Sequence, residues 1–364
     1  MTRKITSILF VAFFAFSLVF ANSVWLAIFP EYSDSPLEWM APGLRLSYRA
    51  STAVMKPGGG LSDTGGSGVG LYQMDVVALE EGSLALLQTY FMEMRGGYYP
   101  SLSFGTIEKP GVSDLWLNPA VFNDLSKFNS DNTTAAEMPI QYGGQTVQAV
   151  RIESRGINTK HVYTYDRASG ILLYLLTQAQ SGTDIHQNIM EFLSARYVEL
   201  PWFNSQRPSW KLTTTSYSGT YTINIPGSYT TPAQTQVTIT PVTSSLSWDY
   251  VKMTIMQYGN LPGEFHTVTG VAQLNGPIWL SAQALNSLTK VQDIDRDPIT
   301  NVVTSVSYIG KLQDGTEVIM LQQTNGTYAN QHVYDRKTGR LLYTKQMSPN
   351  SLDYNVTELS IAGY

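Results

Sequence analysis

The chain lacks cysteine and has few charged residues, and both features restrict its chemistry. None of the 364 residues is Cys, and only 14% are Asp, Glu, Lys or Arg, against roughly 25% in an average protein. The absence of cysteine excludes disulfides, thiolate metal sites and cysteine nucleophiles. The net charge is −5 at pH 7. No nucleic-acid partner is expected, because binding phosphates requires a basic surface.

The remaining composition is that of a folded protein of moderate size. Hydrophobic residues make up 43% of the chain, which is enough for a packed core, and the length allows about two domains. Ser, Thr, Tyr, Gln and Asn occupy most polar positions, as is typical of extracytoplasmic β proteins. Such a protein without disulfides has to gain its stability from the size of its core.

The N-terminus predicts export from the cytoplasm. Arg3-Lys4 precede the apolar residues 5–21, which end in small residues suited to signal peptidase. The apolar character continues, with one polar break, so that residues 5–29 are also long enough to span a bilayer. Trp25 would then lie in the interfacial aromatic belt. Cleaved signal peptide and retained membrane anchor both remain open, and both place residues 30–364 outside the cytoplasm.

A long motif occurs twice. Residues 165–174 and 334–343 both read Tyr-Asp-Arg-x-Ser/Thr-Gly-x-Leu-Leu-Tyr. Three further landmarks recur in the same order, namely residues 115–117 with 278–280, 119–125 with 282–288, and 191–197 with 358–364. A repeated motif with similar spacing to its neighbours predicts an internal duplication.

The duplication defines the predicted domains. Residues 1–29 are the signal peptide or membrane anchor, and the proline-containing residues 30–44 are a linker. The first β repeat covers residues 45–201, and the second covers residues 202–364.

Both repeats predict antiparallel sheets. Segments rich in β-branched and aromatic residues alternate with turn dipeptides such as Asp314-Gly315 and Asn325-Gly326. After the N-terminal hydrophobic helix, only one short amphipathic segment in each repeat has helical spacing. The expected fold is therefore mainly β, with two tandem homologous domains and one short helix in each.

The repeated motif predicts a β-hairpin. Asp166 and Asp335 would begin the turn, because a carboxylate there can accept backbone N–H bonds. Gly170 and Gly339 would supply a positive φ without steric cost. A repeated Asp-Arg pair could also serve catalysis or binding, but a structural turn is favoured.

One acidic segment suggests a metal site. Asp293, Asp295 and Asp297 alternate as in the first half of a calcium loop. An EF-hand would continue with Gly and end in Glu, whereas this chain has Pro298 and Thr304 at those places. An acidic turn opened by Asp297 is the favoured interpretation, and a weak calcium site is the alternative.

The histidines and sequons supply the remaining candidates. His161-Val-Tyr resembles His332-Val-Tyr, so the two histidines are expected at equivalent structural positions. Asn132, Asn325 and Asn355 begin Asn-x-Thr sequons, which could carry glycans in a glycosylating host. No catalytic constellation is present, so the chain is expected to be neither an enzyme nor a cofactor-binding protein.

The hairpin motif also resembles a known family. A strand that ends in Tyr-Asp-x-x-Thr-Gly-x-Leu-Leu is similar to hairpins of the lipoprotein-carrier-like proteins of the LolA and LppX types. The resemblance implies a curved antiparallel half-barrel around a short helix, with an apolar concave face for acyl chains. The helices would be the segments around Phe122 and Leu285. The duplication and the lack of a lipoprotein cysteine depart from that family.

These features lead to two functional hypotheses. The first is an extracytoplasmic, non-enzymatic binding protein for a lipid or another apolar ligand. The alternative is a structural or accessory subunit of an envelope or surface complex, tethered by its N-terminal helix and docking on a protein partner. The 22 Tyr and 7 Trp residues suit either hypothesis, because both side chains combine apolar area with a polar group.

Overall fold

Antiparallel strands form nearly all of the structure, which is a computed structural model. It describes residues 23–56, 67–94, 97–202, 205–224, 232–257, 262–276, 278–349 and 354–361. The candidate signal sequence, residues 1–21, lies outside the described residues. Within the described ranges, none of the helices has the length and apolar character needed to cross a membrane.

The strands form two sheets. The first contains β1 Leu44–Met55, β2 Gly68–Glu80, β3 Ser83–Met94, β4 Gly97–Glu108, β5 Thr133–Tyr142, β6 Gln145–Arg155, β7 Thr159–Asp166, β8 Leu172–Ser181 and β9 Asp184–Tyr197. The second contains β10 Thr215–Ile223, β11 Ala233–Ser244, β12 Trp248–Gln257, β13 Gly263–Gly270, β14 Gln292–Arg296, β15 Val303–Lys311, β16 Glu317–Thr324, β17 Ala329–Asp335, β18 Leu341–Pro349 and β19 Tyr354–Ile361.

Helical segments among the described residues are short. Two are α-helices, α1 Val24–Ile28 and α2 Ala282–Ser287. Three are 3₁₀ turns, Pro30–Tyr32, Pro119–Asn123 and Leu125–Phe128. Phe122 and Leu285 lie in the short segments where helices were expected, and both side chains are buried.

Both sheets have the same strand topology. The strand orders are β4-β3-β2-β1-β9-β8-β7-β6-β5 and β13-β12-β11-β10-β19-β18-β17-β16-β15-β14. In each, four strands form a meander, a crossover segment with short helical turns leads to the far edge, and the chain returns until its last strand pairs with its first. The prediction of a mainly β fold with antiparallel sheets is confirmed. A common origin of the two halves stays a prediction.

Each crossover segment supplies core residues to its own sheet. Trp116 and Trp279 are each 1% exposed. The Trp279 indole Nε1 donates to Asp249 Oδ2 on β12 at 2.7 Å, while the neighbouring Leu280 N–H bonds to Gly339 O at 2.9 Å, in the turn between β17 and β18. The second crossover therefore joins distant strands of its sheet, and its apolar side chains fill the space between them.

Trp25 and Phe29 pack in the core of the first sheet, where a retained membrane anchor over residues 5–29 would have placed them in the bilayer. Trp25 and Phe29 are 2% and 0% exposed. The Trp25 indole Nε1 donates to Tyr165 Oη at 3.0 Å, and its ring meets Tyr163 edge-on with centroids 5.3 Å apart. Trp25 is therefore a core residue, because the sheet supplies both the apolar contacts and the hydrogen bond that a membrane interface would otherwise provide.

Residues 30–44 also belong to the first β unit, although the prolines predicted a linker. Trp39 Nε1 donates to Ser169 O at 2.7 Å, and Trp210 Nε1 donates to Thr338 O at the same distance. Each tryptophan precedes the first strand of its sheet by the same interval. The described structure of each half thus includes a tryptophan that closes the hairpin turn of the repeated motif.

Candidate functional site

The repeated motif forms matching hairpin turns. Asp166 Oδ2 accepts the Ser169 N–H at 2.7 Å, and Asp335 Oδ1 accepts the Lys337 N–H at 2.8 Å. Gly170 and Gly339 have φ of +75° and +76°. Each glycine carbonyl accepts a backbone bond from the crossover segment, at 2.9 Å in both halves. The arrangement attaches the crossover to the hairpin.

The arginines of the motif support the short helical segments. Arg167 donates to Pro119 O at 3.4 Å and to Asn123 Oδ1 at 3.0 Å. Arg336 donates to Leu288 O at 3.1 Å. Because these acceptors lie in or just after a helical turn, each guanidinium satisfies groups that the turn itself leaves unpaired.

Asp297 opens a third turn of the same kind. Its Oδ1 accepts the N–H groups of Ile299 and Thr300 at 3.0 and 2.9 Å. Its carbonyl accepts the Asn301 N–H at 2.9 Å, and Asn301 has φ of +57°. Asn301 therefore occupies the place of Gly170 and Gly339. The sequence signal was the spacing Asp-x-x-Thr-Asn, which matches Asp-x-x-Ser/Thr-Gly once Asn is accepted as a left-handed residue.

The other oxygen of Asp297 joins the two sheets. Asp297 Oδ2 accepts bonds from Arg45 Nη1 at 2.8 Å, Gln73 Nε2 at 3.0 Å and Arg196 Nη2 at 3.2 Å. Its side chain is 1% exposed. Burial raises the pKa of Asp297, but the Arg45 charge and the hydrogen bonds outweigh it and hold this pKa well below its usual range. Asp297 is therefore a buried anion shared between the sheets.

The remaining charges at the junction are also paired. Arg45 binds Asp75 in a fork, with distances of 2.6 and 2.7 Å. Arg196 binds both oxygens of Asp295 at 2.8 Å. Bidentate guanidinium–carboxylate pairs are among the stronger polar contacts in proteins.

This pairing bears on the calcium hypothesis. The carboxylate oxygens of Asp295 and Asp297 accept hydrogen bonds from guanidinium and backbone donors. Asp293, on β14, lies opposite Ser305 of β15. Within the described ranges, no group of three or more acidic or histidine side chains could hold a metal ion. Arg196 thus lies beside Asp295 and Asp297 where a bound cation would lie, and a calcium site at these residues stays a prediction.

A cavity of about 460 Å³ lies beside this junction. Residues of β11–β13 and β17–β19, on one face of the second sheet, line most of it. Arg45, Gln73 and Asp75 of the first sheet form part of its wall. The apolar lining consists of Val237, Met253, Ile255, Phe265, Leu274, Val302, Leu341 and Leu359. The uncharged polar lining includes Gln273, Asn275, Thr300, Thr304, Gln323, Asn330, His332 and Thr344.

The corresponding positions of the first sheet are filled. Strand pairing places Tyr163 and Leu175 where the second sheet has His332 and Thr344. Leu175 is 3% exposed and belongs to the first core, against which Tyr163 packs. In the second sheet, the same two positions carry polar side chains that line the cavity.

The first core also contains aromatic side chains that the second lacks. The Phe128 ring lies 5.5 Å from Trp25 and 4.7 Å from Phe29, measured between centroids. When residues 119–125 are aligned with 282–288, Phe128 corresponds to Val291 in the second half. Val291 is 65% exposed. The described residues between β9 and β10 include Val198 and Trp202, which are buried in the second core without forming a helix. The second cavity therefore lies where polar side chains replace Tyr163 and Leu175 of the first core.

The two histidines of the hairpins are not equivalent, which corrects the sequence-based expectation. The registers that place Tyr165 opposite Val150 and Tyr334 opposite Ile319 make His332 the counterpart of Tyr163. The tripeptides that begin at His161 and His332 are similar in sequence, but they occupy different positions along their strands.

Two polar atoms in the cavity wall lack partners among the described residues. Gln273 is 2% exposed; its Oε1 accepts the Gly270 N–H at 3.1 Å, but its Nε2 makes no hydrogen bond. His332 Nδ1 is likewise buried without a partner. An unsatisfied buried polar group costs about 1–3 kcal/mol, so both atoms lower the stability of the second core.

His332, whose Nδ1 atom is buried, predicts an acid-sensitive second sheet. Burial lowers the pKa of His332 to about 4, whereas an unfolded histidine has a pKa of about 6.5. The unfolded chain therefore binds more protons between these values, so stability is full above about pH 6.5 and falls towards pH 4, by roughly 1–3 kcal/mol. Urea unfolding across this range should show a smaller pH dependence in His332→Gln than in the parent or in His266→Gln. An equal slope in all three proteins would contradict the assignment.

The sequons lie in different surroundings. Asn132 is exposed in a turn before β5. Asn325 Nδ2 donates to Tyr98 O at 2.6 Å, so a glycan there would remove a contact between the two sheets. Asn355 lies on β19, paired with β10 and β18. Glycosylation at these residues stays a prediction.

Comparison with known proteins gives only distant likenesses. No protein-family model matches the chain, and no curated protein matches it. A MucA/MucB complex of Pseudomonas aeruginosa is similar at 12% identity and a TM-score of 0.23, covering 67% of this chain and 91% of that chain. A DUF3598 protein of unknown function from Nostoc punctiforme is similar at 10% identity and a TM-score of 0.15, covering 87% and 95%. At these scores the likenesses carry no argument about function.

Proposed function

We propose that the protein is an extracytoplasmic, non-enzymatic binding protein that holds a small amphipathic ligand in the cavity of its second sheet. The observation that carries this proposal is the difference between the two sheets. Leu175 in the first core is replaced by Thr344 at the cavity wall, and Tyr163, which packs against that core, is replaced by His332. A core that served stability alone would be filled in both halves, because unfilled volume costs free energy.

The cavity has the properties of a ligand site. Its volume of about 460 Å³ falls in the usual range of roughly 300–1,000 Å³. Apolar side chains such as Met253 and Phe265 line one part, while uncharged polar residues such as Asn330 and Thr344 line another. A mainly apolar wall with a few polar groups suits a ligand that has both characters. The extracytoplasmic location rests on the basic and apolar N-terminal sequence.

The alternative, a subunit that docks through exposed strands, has less support. β4 and β13 lie at the edges that face one another across the junction, where Gly105 approaches the Val268 backbone. The other edge of the first sheet, β5, carries Pro139 and Glu137, and that of the second, β14, is short. Proline, charge and short length are features that prevent strand addition.

A filling substitution tests the proposal. Thr344→Leu introduces the residue type that the first sheet has at this position, and it should weaken binding of the neutral apolar dye N-phenylnaphthylamine at least about tenfold, because the side chain takes up ligand volume. Thr243→Leu, on an exposed part of β11, is the matched control and should bind the dye as the parent does. Dye fluorescence is titrated for each protein.

Two results decide the outcome. If Thr344→Leu binds the dye as tightly as the parent, the cavity is not the binding site and the proposal fails. If that variant does not fold, His332→Tyr provides the same test, because tyrosine is the counterpart residue in the first sheet and also adds volume.

A further inference from the structure

We infer that the ligand is an uncharged oligosaccharide whose hydroxyl groups bind a row of polar side chains across β16 to β19; this inference rests on the proposed function. Three properties of the second sheet lead to it: the regular spacing of this row, the apolar surface of β11 to β13, and the pairing of the charged groups in the cavity wall.

One polar side chain from each of four neighbouring strands forms the row. Gln323 on β16 lies opposite Asn330 on β17, and Asn330 lies opposite Gln346 on β18. Gln346 in turn lies opposite Thr357 on β19. All four residues line the cavity and are half-buried, and we call them the polar row. Because neighbouring strands are about 4.8 Å apart, the polar row offers hydrogen-bonding groups at regular intervals of about that length.

The chemistry of the polar row matches that of sugar hydroxyls. A side-chain amide and a threonine hydroxyl can each donate and accept hydrogen bonds, and so can every hydroxyl of a sugar. The Gln323 amide is oriented by its neighbours, because its Oε1 accepts from Asn275 Nδ2 at 3.3 Å and its Nε2 donates to Thr304 Oγ1 at 3.4 Å. The length of one unit in an extended sugar chain is similar to the strand spacing, so successive units would each meet one member of the row.

The cavity also offers an apolar surface for the C–H faces of the sugar rings. Phe265 on β13 lines the cavity opposite Met253 on β12, and both side chains are half-buried. Val237 and Ile255 continue this surface across β11 and β12. An aromatic ring beside aliphatic side chains removes C–H surface from water. The apolar and polar parts of the ligand can therefore belong to the same sugar units.

The charged groups of the wall are paired, which favours a ligand without charge. Among the described lining residues, the charged ones are Arg45, Asp75 and Asp295. Arg45 is bound by Asp75 and Asp297 at 2.6–2.8 Å, and Asp295 is bound by Arg196 at 2.8 Å. An acidic or amino sugar would bring a charge into the cavity without a free counter-ion, which costs free energy.

A peptide fits the polar row less well than a sugar chain. Extended peptides usually bind by pairing their backbone with an exposed strand edge. Each of the strands β16 to β19 is paired on both sides within the sheet, so this face offers side chains and no free backbone groups. Sugar hydroxyls can be bound by side chains alone.

Displacement of N-phenylnaphthylamine from the parent protein tests the inference. The neutral probes are cellotetraose, maltotetraose and tetra-N-acetylchitotetraose, and the charged probes are tetragalacturonate and the deacetylated, cationic chitotetraose. At least one neutral tetrasaccharide should displace the dye, and both charged probes should need at least about tenfold higher concentrations than the tightest neutral one. The uncharged blocked peptide acetyl-tetraserine amide should not displace the dye.

A double variant tests the polar row itself. Asn330→Leu combined with Gln346→Met removes two amides and nearly keeps the side-chain volumes. It should weaken the tightest neutral tetrasaccharide at least about tenfold, because each lost hydrogen bond lowers affinity about three- to tenfold. The dye should bind this variant at least as tightly as the parent. Gln331→Met, on the opposite face of β17, is the matched control and should bind sugar and dye as the parent does.

The outcomes distinguish the inference from the proposed function. Displacement by none of the neutral tetrasaccharides at millimolar concentration, equally tight binding of a charged probe or of the peptide, or unchanged sugar affinity in the double variant would each overturn the oligosaccharide assignment. A cavity whose dye binding responds to Thr344→Leu would still stand in these cases. Dye binding that does not respond to Thr344→Leu would instead overturn the proposed function itself. The comparison of the probes uses only the parent protein, so it does not depend on the folding of a variant.

Discussion

Replacing Asp297 by alanine is expected to lower the free energy of unfolding by about 3–5 kcal/mol, the range observed when one member of a buried ion pair is removed. The substitution takes away the acceptor of Arg45, Gln73 and Arg196 across the junction. It also removes the oxygen that accepts the N–H groups of Ile299 and Thr300. Urea unfolding followed by tryptophan fluorescence measures the loss.

Two comparison variants separate the causes. Asp297→Asn keeps an oxygen for the turn but removes the charge, and it should fall between the parent and Asp297→Ala. Asp293→Ala changes an exposed carboxylate on the neighbouring strand and should stay within about 0.5 kcal/mol of the parent. If Asp297→Ala unfolds like Asp293→Ala, Asp297 does not hold the sheets together.

Introducing valine at Gly170 or Gly339 should have a similarly large effect, on the order of 4 kcal/mol or more. Both glycines have a positive φ, which a β-branched residue rarely adopts. A Cβ at these positions would lie 1.8 Å from Leu117 O and 2.0 Å from Leu280 O. The hairpin would have to separate from the crossover segment, since backbone oxygens cannot move aside. Calorimetry of each variant measures the effect.

Gly315→Val is the matched control for these variants. Gly315 has φ of +87°, but a Cβ there would meet no atom within 4 Å. Gly315→Val should therefore lower the free energy of unfolding only by the cost of the strained backbone conformation, about 1–3 kcal/mol. If Gly170→Val and Gly339→Val melt like the parent, the turn does not anchor the crossover, and a functional role for the motif becomes the better interpretation.

The sequence was sufficient for the fold class and the hairpins, because both depend on local patterns. Alternating apolar residues and turn dipeptides predicted antiparallel sheets, and the repeated motif predicted the two hairpin turns. The position of Trp25 was not predictable from the sequence for a physical reason. A short apolar run containing Trp25 suits a membrane interface and a protein core equally well, and its place in the core depends on Tyr163 and Tyr165, which are distant in sequence.

The site was harder to predict, because it depends on contacts distant in sequence. Arg45 and Asp297 are distant in sequence, and they meet only because the two sheets lie side by side. The cavity did leave a signal in the sequence. When the two halves are aligned on the repeated motif, Leu175 corresponds to Thr344 and Tyr163 corresponds to His332. Such a change from large apolar or aromatic residues to polar residues at core positions suggests an unfilled core.

Locating a bound ligand in a crystal structure tests the central claim most directly. Crystals soaked with bromododecane, an uncharged chain with a heavy atom, should give a bromine anomalous peak between β11–β13 and β17–β19, near Met253 and Thr344, and none in the filled first sheet. A peak within the first core, or an empty second cavity at saturating ligand, would contradict the account.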